Sequence, residues 1–416
     1  MLSKSMDAED GTSASQSRRR WVMLGIAFMF MLTYGSTLQA VPPVLSLIMN
    51  DFYLSHAQGG LLISLYAVPG LIISIPAGML SDRYGQKVIA LVSFSLTIAG
   101  IAIVATGTCL PILIWGRLMT GAGAMTLMVL GPQLLAQWFR GREVGTAMAV
   151  FNAGFIIGSI LSLYLLAMAG ESLGWRASIW LSAGIPLLGL VLFALFFTPA
   201  PGRSQEISGG GETGRPESLF QGLRLAGVPI WIVGAAWMLF NACMIALFTF
   251  TPDFLQTTGI SVTSAGFVTS AVMWTGLVVT PLVGYMIDKL DHKPAIIAIG
   301  SVALAVLVLL VPSITSWVLA IMLLIGIAQT MVPAAIFALP PDVTSPKRLG
   351  LSFGILNFFL SLGIVVGPAA AGLVRDATGS YPASYVLMAV FAFLVAPSML
   401  ILGRTRGQIG TATHSD

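Results

Sequence analysis

An all-α integral membrane protein, with twelve transmembrane helices in two pseudo-symmetric six-helix bundles, is the fold class this sequence predicts, and three observations predict it. Composition is the first: 56% of residues are hydrophobic and only 9% charged, against roughly 25% charged in an ordinary soluble domain, so a soluble particle would lack a polar coat. The second is that the apolar residues gather in long runs. A helix needs about 20 such residues, rising about 1.5 Å each, to cross a hydrocarbon core about 30 Å thick. The third is a charged turn that occurs twice. Gly78-Met79-Leu80-Ser81-Asp82-Arg83-Tyr84-Gly85-Gln86-Lys87 is echoed by Gly284-Tyr285-Met286-Ile287-Asp288-Lys289-Leu290-Asp291-His292-Lys293, with glycines and acids each 206 positions apart (284 − 78, 288 − 82).

In chain order, residues 1–20 form a polar tail ending in Arg18-Arg19-Arg20. The apolar run that follows is too long for a cleaved signal peptide. It is expected to span from Trp21 to about Val41, where Pro42-Pro43 removes two backbone donors and ends or bends the helix. A loop through Asn50-Asp51-Phe52 then leads to a second span, Ala57 to Leu80. The next four are Val88 to Ala105, Leu110 to Gln137, Val144 to Ala169 and Trp175 to Phe197, completing a first bundle over 21–198. Residues 199–227, with Pro199, Pro201, Gly209-Gly210-Gly211 and charges of both signs, read as a solvated linker. Six further spans fill a second bundle over 228–402: Val228 to Thr251, Val262 to Ile287, Pro294 to Val311, Trp317 to Leu339, Leu349 to Val374 and Tyr385 to Leu402, before a tail over 403–416.

The duplication extends beyond the turn. Gly145, Asn152 and Gly158 in the fifth span match Gly350, Asn357 and Gly363 in the eleventh at a difference of 205 (350 − 145), and Gly121 matches Gly326 by the same difference (326 − 121). Bases give the orientation, since cytoplasmic loops carry the excess of Lys and Arg. Arg18 to Arg20, Arg83, Lys87, Arg140, Arg142, Lys289, Lys293, Lys347 and Arg348 fall on one side; the other has Arg176 and Arg375, each near an acid. Both termini, the linker and both charged turns are therefore expected in the cytoplasm, with the chain in a bacterial inner membrane. The net charge of +4 belongs to this asymmetry, and a nucleic-acid partner is not expected. Cys109 and Cys243 suggest neither disulfide nor metal cluster, and His56, His292 and His414 are placed in loops or the tail.

These features resemble the major facilitator superfamily over residues 21–402. Gly78-x3-Asp82-Arg83-x-Gly85-x-Lys87 resembles its signature between the second and third spans, and Gly284 to Lys293 its degenerate repeat, departing where Asp291 replaces the second glycine. Arg117-x3-Gly121-x-Gly123 is similar to a second recurrent motif. The resemblance implies that Asp82 faces the positive amino-terminal end of a helix in the other bundle, with Arg83 or Arg142 completing a latch that breaks when the bundles rock apart. Gly78, Gly85, Lys87, Gly284, Asp288 and Lys289 belong to the same device and its echo; the alternative is that these charges only solvate a loop and set topology.

Arg117 lies seven residues into the fourth span, and no other base is placed as deep. Arginine at a helix centre costs on the order of 2.5 to 3.5 kcal/mol to insert, so it must face a cavity or a partner. Either it contacts an anion or gates a central cavity electrostatically, or it bonds carbonyls of the first helix around the Pro42-Pro43 break. Other substrate candidates at membrane depth are Tyr34, Gln39, Tyr66, Asn241, Trp274 and Gln329; for each, an interhelical bond is the competing role. Gly121, Asn152, Gly158, Asn357 and Gly363 are expected to mediate helix packing. No acid lies deep in a span, which argues against a cationic substrate; Asp253, Glu143, Glu171 and Asp288 fall at interfaces. The expected activity is alternating-access secondary transport of a small organic or inorganic anion by ion-coupled symport or exchange, possible partners being a proton or other ion and the lipid bilayer. A proton-linked multidrug exporter is the runner-up, and a channel or transporter-like sensor the reading from another class. No nucleotide-binding phosphate loop or catalytic constellation is recognisable, so no enzyme, cofactor or metal is expected, and the chain is expected to act as a monomer.

Overall fold

The computed structural model describes residues 2–73, 81, 84–139, 143–199, 227–289, 293–340, 344 and 349–412. Among these it is helical, without strands, and twelve helices are long and apolar enough to cross a membrane. They are α1 (Arg19–Phe52), α2 (His56–Ile73), α3 (Gln86–Thr106), α4 (Leu110–Trp138), α5 (Gly145–Leu173), α6 (Trp175–Phe196), α7 (Val228–Thr257), α8 (Val262–Ile287), α9 (Lys293–Leu310), α10 (Thr315–Phe337), α11 (Leu351–Thr378) and α12 (Tyr381–Leu402). An even number of crossings places both chain ends at one end of the bundle, called here the near end; α1 finishes and α2 begins at the far end.

The two halves repeat each other in their packing as well as their sequence. A β-carbon at Gly121 of α4 would overlap the Tyr66 carbonyl oxygen of α2; one at Gly326 of α10 would meet the Val272 carbonyl oxygen of α8. Likewise Gly158 of α5 abuts Leu32 of α1, and Gly363 of α11 abuts Met238 of α7. Burial follows the same symmetry: 72% of the apolar window of α7 and 67% of that of α1 is enclosed, against 28% for α6. The first helix of each half is thus central.

Several boundaries differ from the hydropathy reading. Pro42-Pro43 interrupts α1 without ending the span: the α-helix stops at Leu38, a tight turn follows over Pro42–Val44, and helix resumes over Leu45–Phe52. Asn50, Asp51 and Phe52 are therefore helical, and the chain turns only at Tyr53, at φ 54°. Ser55 then starts α2 by a reciprocal cap, its hydroxyl accepting from Gln58 N and its own N–H donating to the Gln58 side chain. His56 is accordingly the first residue of a helix, not a loop residue. Past Ser64, α2 loosens over 65–67 because Pro69 has no N–H to offer Leu65. Farther on, α5 has a π-helical turn at Ser162–Leu166, α7 runs to Thr257, α11 to Thr378, and α12 begins at Tyr381. Gly85 enters α3 at φ 84°, a conformation an L side chain adopts with strain.

Candidate functional site

Arg117 is 2% exposed, and two interrupted helices explain its position. Where α2 loosens, Tyr66 N donates to Ile63 O at 3.2 Å, leaving the Leu62 carbonyl without its regular helical donor; Arg117 Nε supplies one at 3.2 Å. Where α1 stops, Thr37 O has only a long contact from Ala40 N, 3.5 Å, and Arg117 Nη1 donates to it at 3.1 Å. The guanidinium carbon stands 4.8 Å from the centre of the Tyr66 ring, a cation–π distance. The bond to Thr37 O is of the kind the structural alternative names, on the first helix, whereas Leu62 O belongs to α2 and was not part of it. Nη2 remains buried without a partner, and among the described residues no carboxylate is within ion-pair distance. Beside the guanidinium is a cavity of about 10 Å³, room for one water. It is lined by Thr37, Thr120, Ser182, Ile101, Val104 and Ile179 among others, all from the first half.

Of the other candidates, Tyr34 and Tyr66 join Arg117. Tyr66 OH is 2.9 Å from Thr37 Oγ1, and the two tyrosine rings lie 6.2 Å apart, with Phe155 of α5 beyond Tyr34. Gln39 is buried with its Nε2 unpartnered. The candidates of the second half stand separately. Asn241 donates to Trp237 O of its own helix, and Gln329 donates to Val272 O of α8 at 3.3 Å. Trp274 is 48% exposed, two turns along α8 from Phe267, whose ring meets Tyr164 of α5; it thus lies on the side of α8 that faces the other half. Asn152, expected to mediate helix packing, is exposed and donates to Met148 O within α5, while Asn357 is half-buried.

Hydropathy missed the contacts between the halves at the far end. Asp376, at the end of α11, accepts His56 N at 3.0 Å and Ala57 N at 2.8 Å, capping the first turn of α2. Glu171, at the end of α5, accepts Thr263 N at 2.7 Å, capping α8. Both pairs obey the internal repeat, at 205 for the acids (376 − 171) and 206 for the capped residues (263 − 57). An ionised carboxylate is favoured at a helix amino terminus, where N–H groups lack intrahelical partners. Ser46 donates to Gln256 Oε1 at 2.8 Å in the same layer, and Gly60 and Gly372 let α2 and α11 touch through backbone atoms. Asp253 lies toward the far end of α7, as expected, but is not open to solvent. It is only 7% exposed, enclosed by Tyr381, whose hydroxyl it accepts, and by His56.

At the near end, Arg20 pairs with Glu143 at 2.7 Å within the first half. Gly78, Asp82, Arg83 and Arg142 of the expected latch lie outside the described residues, as does the side chain of Asp288. Lys87 and Lys289 are exposed, the latter 4.5 Å from the Tyr285 ring, and Gly284 is helical with open space around it.

Twelve helices long and apolar enough to cross a membrane, in two matched halves that touch through opposed helix ends, are the architecture of a multi-pass membrane protein. The chain belongs to the Major Facilitator Superfamily, whose model matches residues 22–260 and 246–415. It is 25% identical to the hexuronate transporter of Bacillus subtilis (strain 168), covering 86% of this chain and 90% of that one. It is 29% identical to the 3-(3-hydroxy-phenyl)propionate transporter of Escherichia coli (strain K12), covering 87% and 88%. Among solved structures, a bacterial homologue of the human lysosomal transporter Spinster superposes with a TM-score of 0.76 at 18% identity, over 93% of this chain and 97% of that one.

Proposed function

We propose that this protein is an alternating-access secondary transporter of a small organic anion, moved by ion-coupled symport or exchange, with both termini cytoplasmic and the far end outside. The observation that carries the anion reading is the Arg117 guanidinium, buried with no carboxylate at ion-pair distance among the described residues and with Nη2 unpartnered. A buried cation without a protein counter-ion sets up a positive field in a low-dielectric region, which favours an anionic ligand. In this reading Tyr34 and Tyr66, which stand beside the guanidinium, line the route to it once the halves move, and Gln39, Asn241, Trp274 and Gln329 supply further polar and aromatic contacts. Two relatives named for carboxylate substrates support the same class. A buried carboxylate is what a proton-linked exporter of cations would need, and Asp253 is one; its engagement by Tyr381 and His56 counts against a free cation site.

Uptake into proteoliposomes tests the proposal. A panel of radiolabelled hexuronate, arylpropionate, uncharged sugar and lipophilic cation is expected to show saturable uptake of a carboxylate alone. Uptake confined to the cation or the neutral sugar would overturn it.

A further inference from the structure

The two halves treat one matched position differently. In the first, Asp51 at the end of α1 accepts Trp175 Nε1 at 3.0 Å and pairs with Arg176 at 2.8 Å. In the second, Tyr381 occupies the place of Trp175 (381 − 175 = 206) and donates to Asp253, an acid of α7 that lies one helical turn before the position matching Asp51 (257 − 51 = 206). The next residue is Pro382, so no arginine matches Arg176. A histidine of the opposite half takes that part: His56 Nε2 is 3.4 Å from Asp253 Oδ2. Its other nitrogen, Nδ1, is 3.1 Å from Oδ1 of Asp376, the carboxylate that caps α2.

An imidazole with a carboxylate oxygen at each nitrogen is fully satisfied only when both nitrogens carry hydrogen, and that form is the cation. The surrounding charges agree. His56 is faced by Asp253 and the Phe250 ring from α7, by Asp376 with its neighbour Arg375 from α11, and by Tyr381 from α12. Arg375 stands 4.4 Å from the Tyr381 ring. Two carboxylates and one guanidinium leave a single negative charge, which the imidazolium cancels, and a partly buried cluster is far less costly when its charges balance. Once the halves separate, His56 returns to water, where a histidine with a pKa near about 6.5 is mostly neutral at pH 7.

We propose that His56, Asp253 and Asp376 form a proton-binding site shared between the halves, which takes up one proton from the far-side solution as the far end closes. The proton moves from solvent to an imidazole lone pair and no other bond changes; opening returns it. Far-side acid therefore favours the closed form and alkali the open one. This deepens the reading of an ion-linked carrier, but its test uses no transported anion, so the two can fail separately.

The exposed Cys109 between α3 and α4, paired with Ser313→Cys between α9 and α10, gives one spin label on each half at the far end. Pulsed-EPR distances are measured on the full chain in nanodiscs from about pH 5 to 8.5. The expected result is a short distance in acid that gives way to a longer one, the population ratio changing by up to about tenfold per pH unit. His56→Gln is expected to remove that transition, and Asp253→Asn, which leaves one carboxylate facing the imidazole, to move its midpoint to lower pH. A distance indifferent to pH overturns the proposal, as does a His56→Gln protein that titrates like the parent. Should His56→Gln fail to fold, an unmoved midpoint in Asp253→Asn overturns it equally.

Discussion

Arg117 joins two helices that have lost regular hydrogen bonds at neighbouring points. Two of its donors replace the ones Leu62 O and Thr37 O lack, while the charge itself remains unpaired by any described carboxylate. These roles separate on substitution. Arg117→Lys keeps the charge but cannot reproduce the fork; each carbonyl left without a donor costs about 1–3 kcal/mol. It should lower the melting temperature of the detergent-solubilised protein while keeping measurable anion uptake. Arg117→Gln should reduce uptake at least about tenfold. Equal uptake in both variants would leave Arg117 a purely structural residue. The depth of Arg117 was legible from its place in an apolar run, and so was a need for a partner. A carbonyl of α1 beside the Pro42-Pro43 break was legible as one possible partner; Leu62 O was not, because Pro69 marks where α2 loosens without showing which carbonyl is freed.

Helix pairs within each half come close where glycine removes the side chain, and the repeat makes this checkable. Gly121→Ala would press a methyl group onto the Tyr66 carbonyl, and overpacking of this kind costs about 1–3 kcal/mol. Gly145→Ala, which meets nothing within 4 Å, should be neutral or stabilising by up to about 1 kcal/mol. Thermal melts of the two proteins compare them directly; equal melting would show that the α2–α4 approach is not tight. The number of spans and their pairing into halves were readable because burial in lipid imposes a length on every helix. The ends were less readable, for a definite reason. Hydropathy follows the apolar part of a helix, whereas backbone hydrogen bonding carries α5, α7 and α11 beyond it into polar sequence, and α12 starts before the apolar run does. Glu171, Asp253, Asp376 and Tyr381 lie on those extensions, so residues that meet the opposite half fell where the sequence reading stopped.

Across the whole molecule, two acids related by the internal repeat each cap a helix of the opposite half. Such bonds hold the far end shut, and they are reversible because each carboxylate and each helix terminus can be taken over by water. Asp376→Asn should weaken closure at α2 and increase alkylation, from the far side, of a cysteine placed at Ser46, which is buried against Gln256 of the other half, several-fold over the parent protein. Unchanged labelling would mean that the cap contributes little. At the near end the opposite change is proposed for Asp82→Asn: if this acid latches the near end, its loss should slow turnover and make near-end cysteine probes more accessible, and indifference in both assays would reduce the charged turn to a topology device.

Separation of the halves at the far end is the motion on which transport depends in this account, and a reversible cross-link addresses it most directly. Ser46 and Gln256 touch across the halves at 2.8 Å through their side-chain ends, so the thiols of a Ser46→Cys, Gln256→Cys protein can be bridged in proteoliposomes by a short bis-methanethiosulfonate reagent and released by reduction. Carboxylate uptake should fall to background on bridging and return on reduction. A cross-linked protein that transports at the full rate would contradict the account.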